Sequence, residues 1–253
     1  MKTTRIDDLY RDGSVYDLIY PGWSAAAPFL QQHLDPADGP ALELACGTGN
    51  ITIPMALAGF AITGVDNAAN MLGVAQQKAA AEQVAIDWVL ADMRDFDLRR
   101  SFAAIYLLAN ALSHLLTRTD FAACMARVRN HLQPGGRFIV NTFVPSLEIL
   151  AHGPDERHSF GRYADPHGRG EVVVTYSNVY EVDTQINRVT TYTKQPDTDN
   201  EMTGELNLRM YFPQELDALL ECNGFRIEQK FGSVHGAPFD ANAETQLVVC
   251  RMV

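Results

Sequence analysis

The sequence predicts an α/β fold: a doubly wound, mostly parallel seven-stranded sheet, preceded by a helical lid and interrupted late by a small antiparallel β insertion. Three observations predict it. From Ala41 onward, short apolar runs alternate with stretches of helical spacing, the pattern of strands joined by crossover helices. The first run, Leu42-Glu43-Leu44, leads into the tight turn Ala45-Cys46-Gly47-Thr48-Gly49-Asn50 and then a helix. Beyond residue 170 the texture changes to Val, Thr and Tyr alternating at period two, as half-buried antiparallel strands require.

Residues 1–40 read as the lid, with Ser24 capping a helix that runs to Leu34 and the turn-rich Asp35-Pro36-Ala37-Asp38-Gly39-Pro40 closing it. Residues 41–150 read as the ligand-binding core. Its strands are expected near 41–45, 61–65, 86–91, 103–109 and 136–143, with helices over 51–58, 68–82 and 120–132. Pro134-Gly135-Gly136 is read as the stop of the last helix and the turn into the next strand. In 151–212, the polar stretch 152–169 reads as a loop or flap, and 171–182, 187–194 and 204–212 as the strands of the insertion. In 213–253, Pro213 opens a helix through Cys222, Asn223-Gly224 ends it, and strands near 225–231 and 245–251 complete the core sheet.

A chain of 253 residues, 47% hydrophobic and 20% charged, is long enough for one large domain with an embellishment. No apolar run is long enough to span a bilayer, and Met1 to Asp8 turns acidic where a secretory leader would be apolar, so a cytoplasmic location is expected. Cys46, Cys124, Cys222 and Cys250 are scattered, with no pair at metal or redox spacing, and no metal site is expected. The net charge of −11 repels a phosphate backbone. The nearest basic group, Arg94, Arg99 and Arg100, sits among Asp92, Asp95 and Asp97, so no nucleic-acid partner is expected.

Larger side chains at Gly47 and Gly49 would obstruct a ligand lying on the turn, whose helix also offers unpaired amides. Dinucleotide-binding folds use the same device with a third glycine, which is absent here. Asp66, at the end of the second strand, is placed to accept from two ribose hydroxyls, which fits NAD or S-adenosylmethionine alike. In Ala91-Asp92-Met93-Arg94-Asp95-Phe96, Asp92 can accept from an adenine amine while Met93 packs on the ring, and Glu43 is read near the amino-acid end of the ligand. Three acids on successive strand ends suit a sulfonium and an ammonium better than a pyrophosphate.

At these residues the chain resembles the class I S-adenosylmethionine-dependent methyltransferases: Glu43-Leu44-Ala45-Cys46-Gly47-Thr48-Gly49 as the first motif, Asp66 as the second-strand acid, Asp92-Met93 as the adenine motif, and Leu132-Gln133-Pro134-Gly135-Gly136 later. More narrowly, Ala91-Asp92-Met93-Arg94-Asp95-Phe96 and Val15-Tyr16-Asp17-Leu18-Ile19-Tyr20 are similar to bacterial amino-sugar N,N-dimethyltransferases. The resemblance implies a Rossmann-like core and methyl transfer from S-adenosylmethionine, with S-adenosylhomocysteine as product. It also implies cofactor contacts from Ala45, Cys46, Gly47, Asp66, Asn67, Asp92, Met93 and Leu108, with Tyr16, Tyr20 and Trp23 closing over the methionine part. Met71, with Leu72, reads as core, and Met71 also counts among the residues beside the cofactor.

A proton-accepting group is needed only if the nucleophile sheds a proton, and the candidate is His114, just past the fourth strand; a histidine beside leucines can equally be structural. The insertion reads either as a homodimer contact or as a substrate cover carrying Tyr176, Arg209 and Tyr211, with Tyr180 beside them. His152, Arg157, His158, Arg162 and His167 match no ligand spacing and read as a solvated loop. The function expected is methyl transfer to nitrogen, or else oxygen, of a small molecule in secondary metabolism. A non-catalytic S-adenosylmethionine-binding protein and an NAD(P)-dependent oxidoreductase are the competing readings.

Overall fold

The computed structural model describes residues 10, 12–20, 22–165, 168–196 and 201–253. The core is a sheet of β1 (Ala41–Leu44), β2 (Ile62–Asp66), β3 (Asp87–Leu90), β4 (Phe102–Leu107), β5 (Leu132–Phe143), β10 (Phe225–Phe231) and β11 (Thr245–Met252). Their order is β10-β11-β5-β4-β1-β2-β3, parallel except where β11 runs against both β5 and β10. Since β1 is flanked by β2 on one side and β4 on the other, the chain reverses direction across the sheet there. The connections that leave the paired carboxyl ends of β1 and β4 therefore run to opposite faces of the sheet, and a crevice opens between them.

Period-two alternation divides the buried side chains between two faces. Leu42, Leu44, Ile105, Leu107, Phe138 and Val140 join one cluster, whereas Ala41, Ala104, Tyr106, Leu108 and Ile139 join the other. Helix α5 (Arg118–His131) covers the first face with buried Phe121, Cys124, Met125 and Val128, which is the spacing of one helical stripe. Thr117 caps α5 by accepting from the Asp120 amide, and Arg129 and His131 stand in its last turn, where a helix dipole favours positive charge. Short helix α1 (Gly13–Ile19) starts at Asp12, which caps Ser14 and Val15, and α2 (Ala27–His33), α3 (Thr52–Leu57) and α4 (Ala69–Ala81) follow. After β5 come α6 (Leu147–Leu150) and, from Pro213 to Cys222 as the sequence predicts, α7.

The structure corrects three local expectations. Ser24 caps nothing; it lies inside a 3-10 turn, Trp23–Ala26, that leads into α2. Pro134-Gly135-Gly136 does not stop a helix, because α5 already ends at His131; it forms an irregularity inside β5, where the pairing jumps from Phe102↔Leu132 to Ala104↔Arg137. The expected flap 152–169 contains strand β6 (His158–Ala164). It pairs antiparallel with β7 (Glu171–Glu181), and β8 (Ile186–Lys194) and β9 (Glu201–Arg209) complete a second, four-stranded sheet. His167 lies outside the described residues, as do 1–9 of the lid. Among the described residues no helix is long and apolar enough to cross a membrane.

Candidate active site

The turn after β1 holds Ala45, Gly47 and Gly49 at φ 53, 55 and 78°, a left-handed region that favours glycine. The two glycines serve different ends. A Cβ at Gly47 would meet only Met71 Cε, at 3.4 Å, leaving the crevice side open, whereas a Cβ at Gly49 would fall 2.9 Å from the Trp88 ring. Gly49 thus makes room for the half-buried Trp88 indole. Three residues on, where dinucleotide folds carry their third glycine, stands Thr52, whose hydroxyl donates to Glu43.

Asp66 clamps the crevice floor: one oxygen accepts from the Gly47 amide and the other from the Ala68 amide, both at 2.8 Å. Burial pushes its carboxyl up, and those two amides with the nearby His114 charge pull it back. Glu43 is wholly buried beneath the turn, against Thr52 and Tyr106, and burial raises it to about 8. The Thr52 hydroxyl on α3 donates to it, and the expectation had placed it near the ligand's amino-acid end. Cys46 is buried as well, and Asn67 is exposed at the rim.

The lid is fastened to this turn by a residue that sequence reasoning missed. Asp17 accepts from Thr48 Oγ1 at 2.5 Å, Asn50 Nδ2 at 2.9 Å and Lys78 Nζ at 2.8 Å. One position earlier, burial and the charges of Asp17, Asp66 and Glu43 push the Tyr16 hydroxyl up to about 12. Tyr10, Tyr16 and Tyr20 form a row with centroids 5.6 and 5.2 Å apart. Trp23 stands apart from that row and packs on the second core cluster.

Asp92 is half-buried and held low by Arg94, which donates to both its oxygens and also pairs with Asp120. Met93 packs at the edge of the first cluster, Met71 is buried against the glycine turn, and Leu108 is buried at the end of β4.

On the other wall, Ala109 and Asn110 are both left-handed, at φ 57 and 60°, a conformation that costs about 1–3 kcal/mol for each such residue and persists only where the surroundings impose it. Here they do. Ser113 Oγ meets Thr142 Oγ1 at 2.9 Å, Asn141 donates to Asn110 at 3.3 Å, and the Tyr211 hydroxyl donates to the Leu115 carbonyl at 2.5 Å. The result is a rigid 3-10 turn, Ala111–His114, that presents His114 to the crevice, its Nε2 2.8 Å from the Tyr10 hydroxyl.

The expected substrate residues divide. Tyr176 is partly exposed on β7. Arg209 is 5% exposed and paired with Glu215 at 2.7 Å, and Tyr211 is fully buried and frames the turn through Leu115. The structure thus puts Tyr211 in the core, not on a ligand-facing surface.

A family model described as a methyltransferase domain matches residues 41–136. The matched segment carries β1 to β4, the glycine turn and helices α3 to α5. The chain shares 33% identity with a putative methyltransferase, YqeM, of Bacillus subtilis, over 54% of this chain and 60% of that one. Identity is 29% to the dTDP-3-amino-3,6-dideoxy-alpha-D-glucopyranose N,N-dimethyltransferase of Streptomyces fradiae, over 50% and 51%. The chain thus spans between half and three-fifths of the length of these curated relatives. In fold the likeness runs further: the CcbJ methyltransferase of Streptomyces caelestis superposes with a TM-score of 0.83 over 97% of this chain and 98% of that one, at 22% identity.

The residues of the methyltransferase domain fit S-adenosylmethionine. Gly47 leaves the backbone approachable, Asp66 keeps free lone pairs for ribose hydroxyls, and Asp92 and Met93 border the third strand end. The Asp66 carboxyl at the crevice floor suits a ligand that carries a sulfonium and an ammonium.

Proposed function

We propose that the protein transfers a methyl group from S-adenosylmethionine to an amine nitrogen of a small molecule, as a step of secondary metabolism. The observation that carries the reading is His114, bonded to Tyr10 at the mouth of the β1–β4 crevice. A strained turn held in place by Ser113, Asn110 and Tyr211 is what a group needing exact aim would require.

When bound, S-adenosylmethionine supplies a methyl carbon already activated by positive sulfur. Gly47 and Asp66 hold it in register, and Tyr16 and Tyr20 cover it and exclude water. The methyl group would pass to the acceptor's nitrogen lone pair, with the electrons of the C–S bond left on sulfur. His114, oriented by Tyr10, takes the proton that the nitrogen sheds. Nitrogen is favoured over oxygen because an ammonium sheds its proton far more readily than an alcohol does, so a weak base such as imidazole lies nearer to what the nitrogen step needs. The net charge of −11 supports a small acceptor over a nucleic acid.

Calorimetric titration with S-adenosylmethionine, S-adenosylhomocysteine and NADH, followed by mass detection of methylated products from an amine panel, tests this. Binding of the two sulfur ligands with N-methyl product is expected. Binding without turnover of any amine or alcohol would favour a non-catalytic binding protein, and binding of NADH alone an oxidoreductase.

A further inference from the structure

The segment expected to be a solvated flap continues the lid's tyrosine row into the second sheet. Tyr20 meets Phe160 edge-on with centroids 6.1 Å apart, and Phe160 meets Tyr176 at 6.0 Å. Tyr176 meets His158 at 5.6 Å, and His158 stacks on His152 at 3.5 Å with planes within 10°. This wall begins at Tyr10 and His114, so one surface joins the crevice mouth to the turn before β6.

Its far end differs in chemistry. His152 Nδ1 and His158 Nε2 are shielded from solvent, and neither has a hydrogen-bond partner among the described residues. Buried polar atoms are nearly always paired, so two orphans on one stack mark a place where a partner is missing. The arginines of the segment are engaged: Arg157 lies 3.7 Å over the Tyr192 ring and pairs with Glu201, Arg162 pairs with Glu171, and Arg169 pairs with Asp165. Glu156, largely exposed and accepting from the Gly153 amide, brings a carboxylate oxygen to 3.7 Å from His158 Nε2, beyond bonding distance. The protein's own acid thus approaches the imidazole without satisfying it.

We infer that the acceptor is a ring-bearing amine with a carboxylate remote from its nucleophilic nitrogen, its ring lying along Tyr20, Phe160 and Tyr176 and its carboxylate hydrogen-bonded by the His152–His158 stack. Aromatic walls select flat ligands, and an imidazole nitrogen that carries its proton donates to a carboxylate. The inference rests on the methyltransferase reading and adds the acceptor's class to it.

The test is calorimetry on protein loaded with S-adenosylhomocysteine, with 4-(aminomethyl)benzoate and its uncharged-ring counterpart benzylamine as probes. The acid is expected to bind about tenfold tighter, as hydrogen bonds to a charged group allow. In His152→Ala and in His158→Ala that advantage falls to about twofold or less while benzylamine and S-adenosylhomocysteine bind as before, and His158→Gln, which keeps a donor, retains part of it. Equal binding of the two probes, an advantage that survives in both alanine variants, or no binding of either probe to the loaded protein would overturn the inference alone. Failure to bind S-adenosylhomocysteine would overturn the methyltransferase reading beneath it.

Discussion

Lys78 Nζ lies 2.8 Å from Asp17 Oδ2, and the same carboxylate holds Thr48 and Asn50, so one ion pair ties the lid helix to both the glycine turn and α4. The pair is partly exposed, at 35% and 26% side-chain accessibility, which limits its worth to global stability to roughly 0–1 kcal/mol. Its importance is local. Asp17→Ala is expected to leave the melting temperature nearly unchanged, abolish amide-exchange protection over residues 13–19, and weaken S-adenosylmethionine binding about tenfold by freeing the tyrosines. Unaltered exchange over that helix would mean that the lid is held by its aromatic contacts instead.

Asp66→Ala removes an acceptor from two amides as well as from the proposed ribose. Cofactor affinity should fall by about a hundredfold, as the loss of two charge-assisted hydrogen bonds implies, and stability by about 1–3 kcal/mol. Calorimetry and urea unfolding separate the two effects. A stable variant with full affinity would show the ribose to lie elsewhere.

Glu43 carries a pH signature. Its folded carboxyl sits at about 8, above the unfolded value of 4.5, so the neutral acid belongs to the fold. A raised carboxyl contributes its full stability below 4.5 and loses it progressively as pH rises to about 8, where both states are ionised. The melting temperature should therefore decline across that window, and Glu43→Gln, permanently neutral, should flatten the decline. Parallel curves for the two proteins would contradict the assignment.

His114→Asn is expected to lower the rate at saturating acceptor by about a hundredfold, within the range of general-base catalysis, with S-adenosylmethionine affinity unchanged. Tyr10→Phe should cost less, since it removes only the group that orients the imidazole. Full activity in the His114 variant would leave alignment as the whole of the chemistry.

Tyr211→Phe deletes a buried hydroxyl and orphans the Leu115 carbonyl, a change worth about 1–3 kcal/mol. Thermal unfolding should show that loss. Turnover should fall too, because the same bond frames the turn that carries His114; a stability loss with no kinetic effect would separate the frame from the chemistry.

What the sequence by itself determined is whatever is encoded within a few neighbouring residues. Alternation along β1, β4 and β5, helical spacing in α5, the glycine turn and the strand-end acids Asp66 and Asp92 are all of that kind, because pleat, helix pitch and turn geometry are local properties. Edge strand β6 was not legible: an edge is wet on one side, so its polar composition is that of a loop until β7 supplies the pairing. Only the tertiary structure decided the rest of the site, because its decisive contacts join residues far apart in the chain. Tyr10 and His114 are 104 positions apart, Lys78 and Asp17 61, and Tyr211 and Leu115 96. The division of labour between Gly47 and Gly49, and the sinking of Glu43 beneath Thr52, likewise depend on which side chains the folded sheet brings against them, an indole at one and a helix at the other. Periodicity can place a residue on a face; packing alone determines what meets it there.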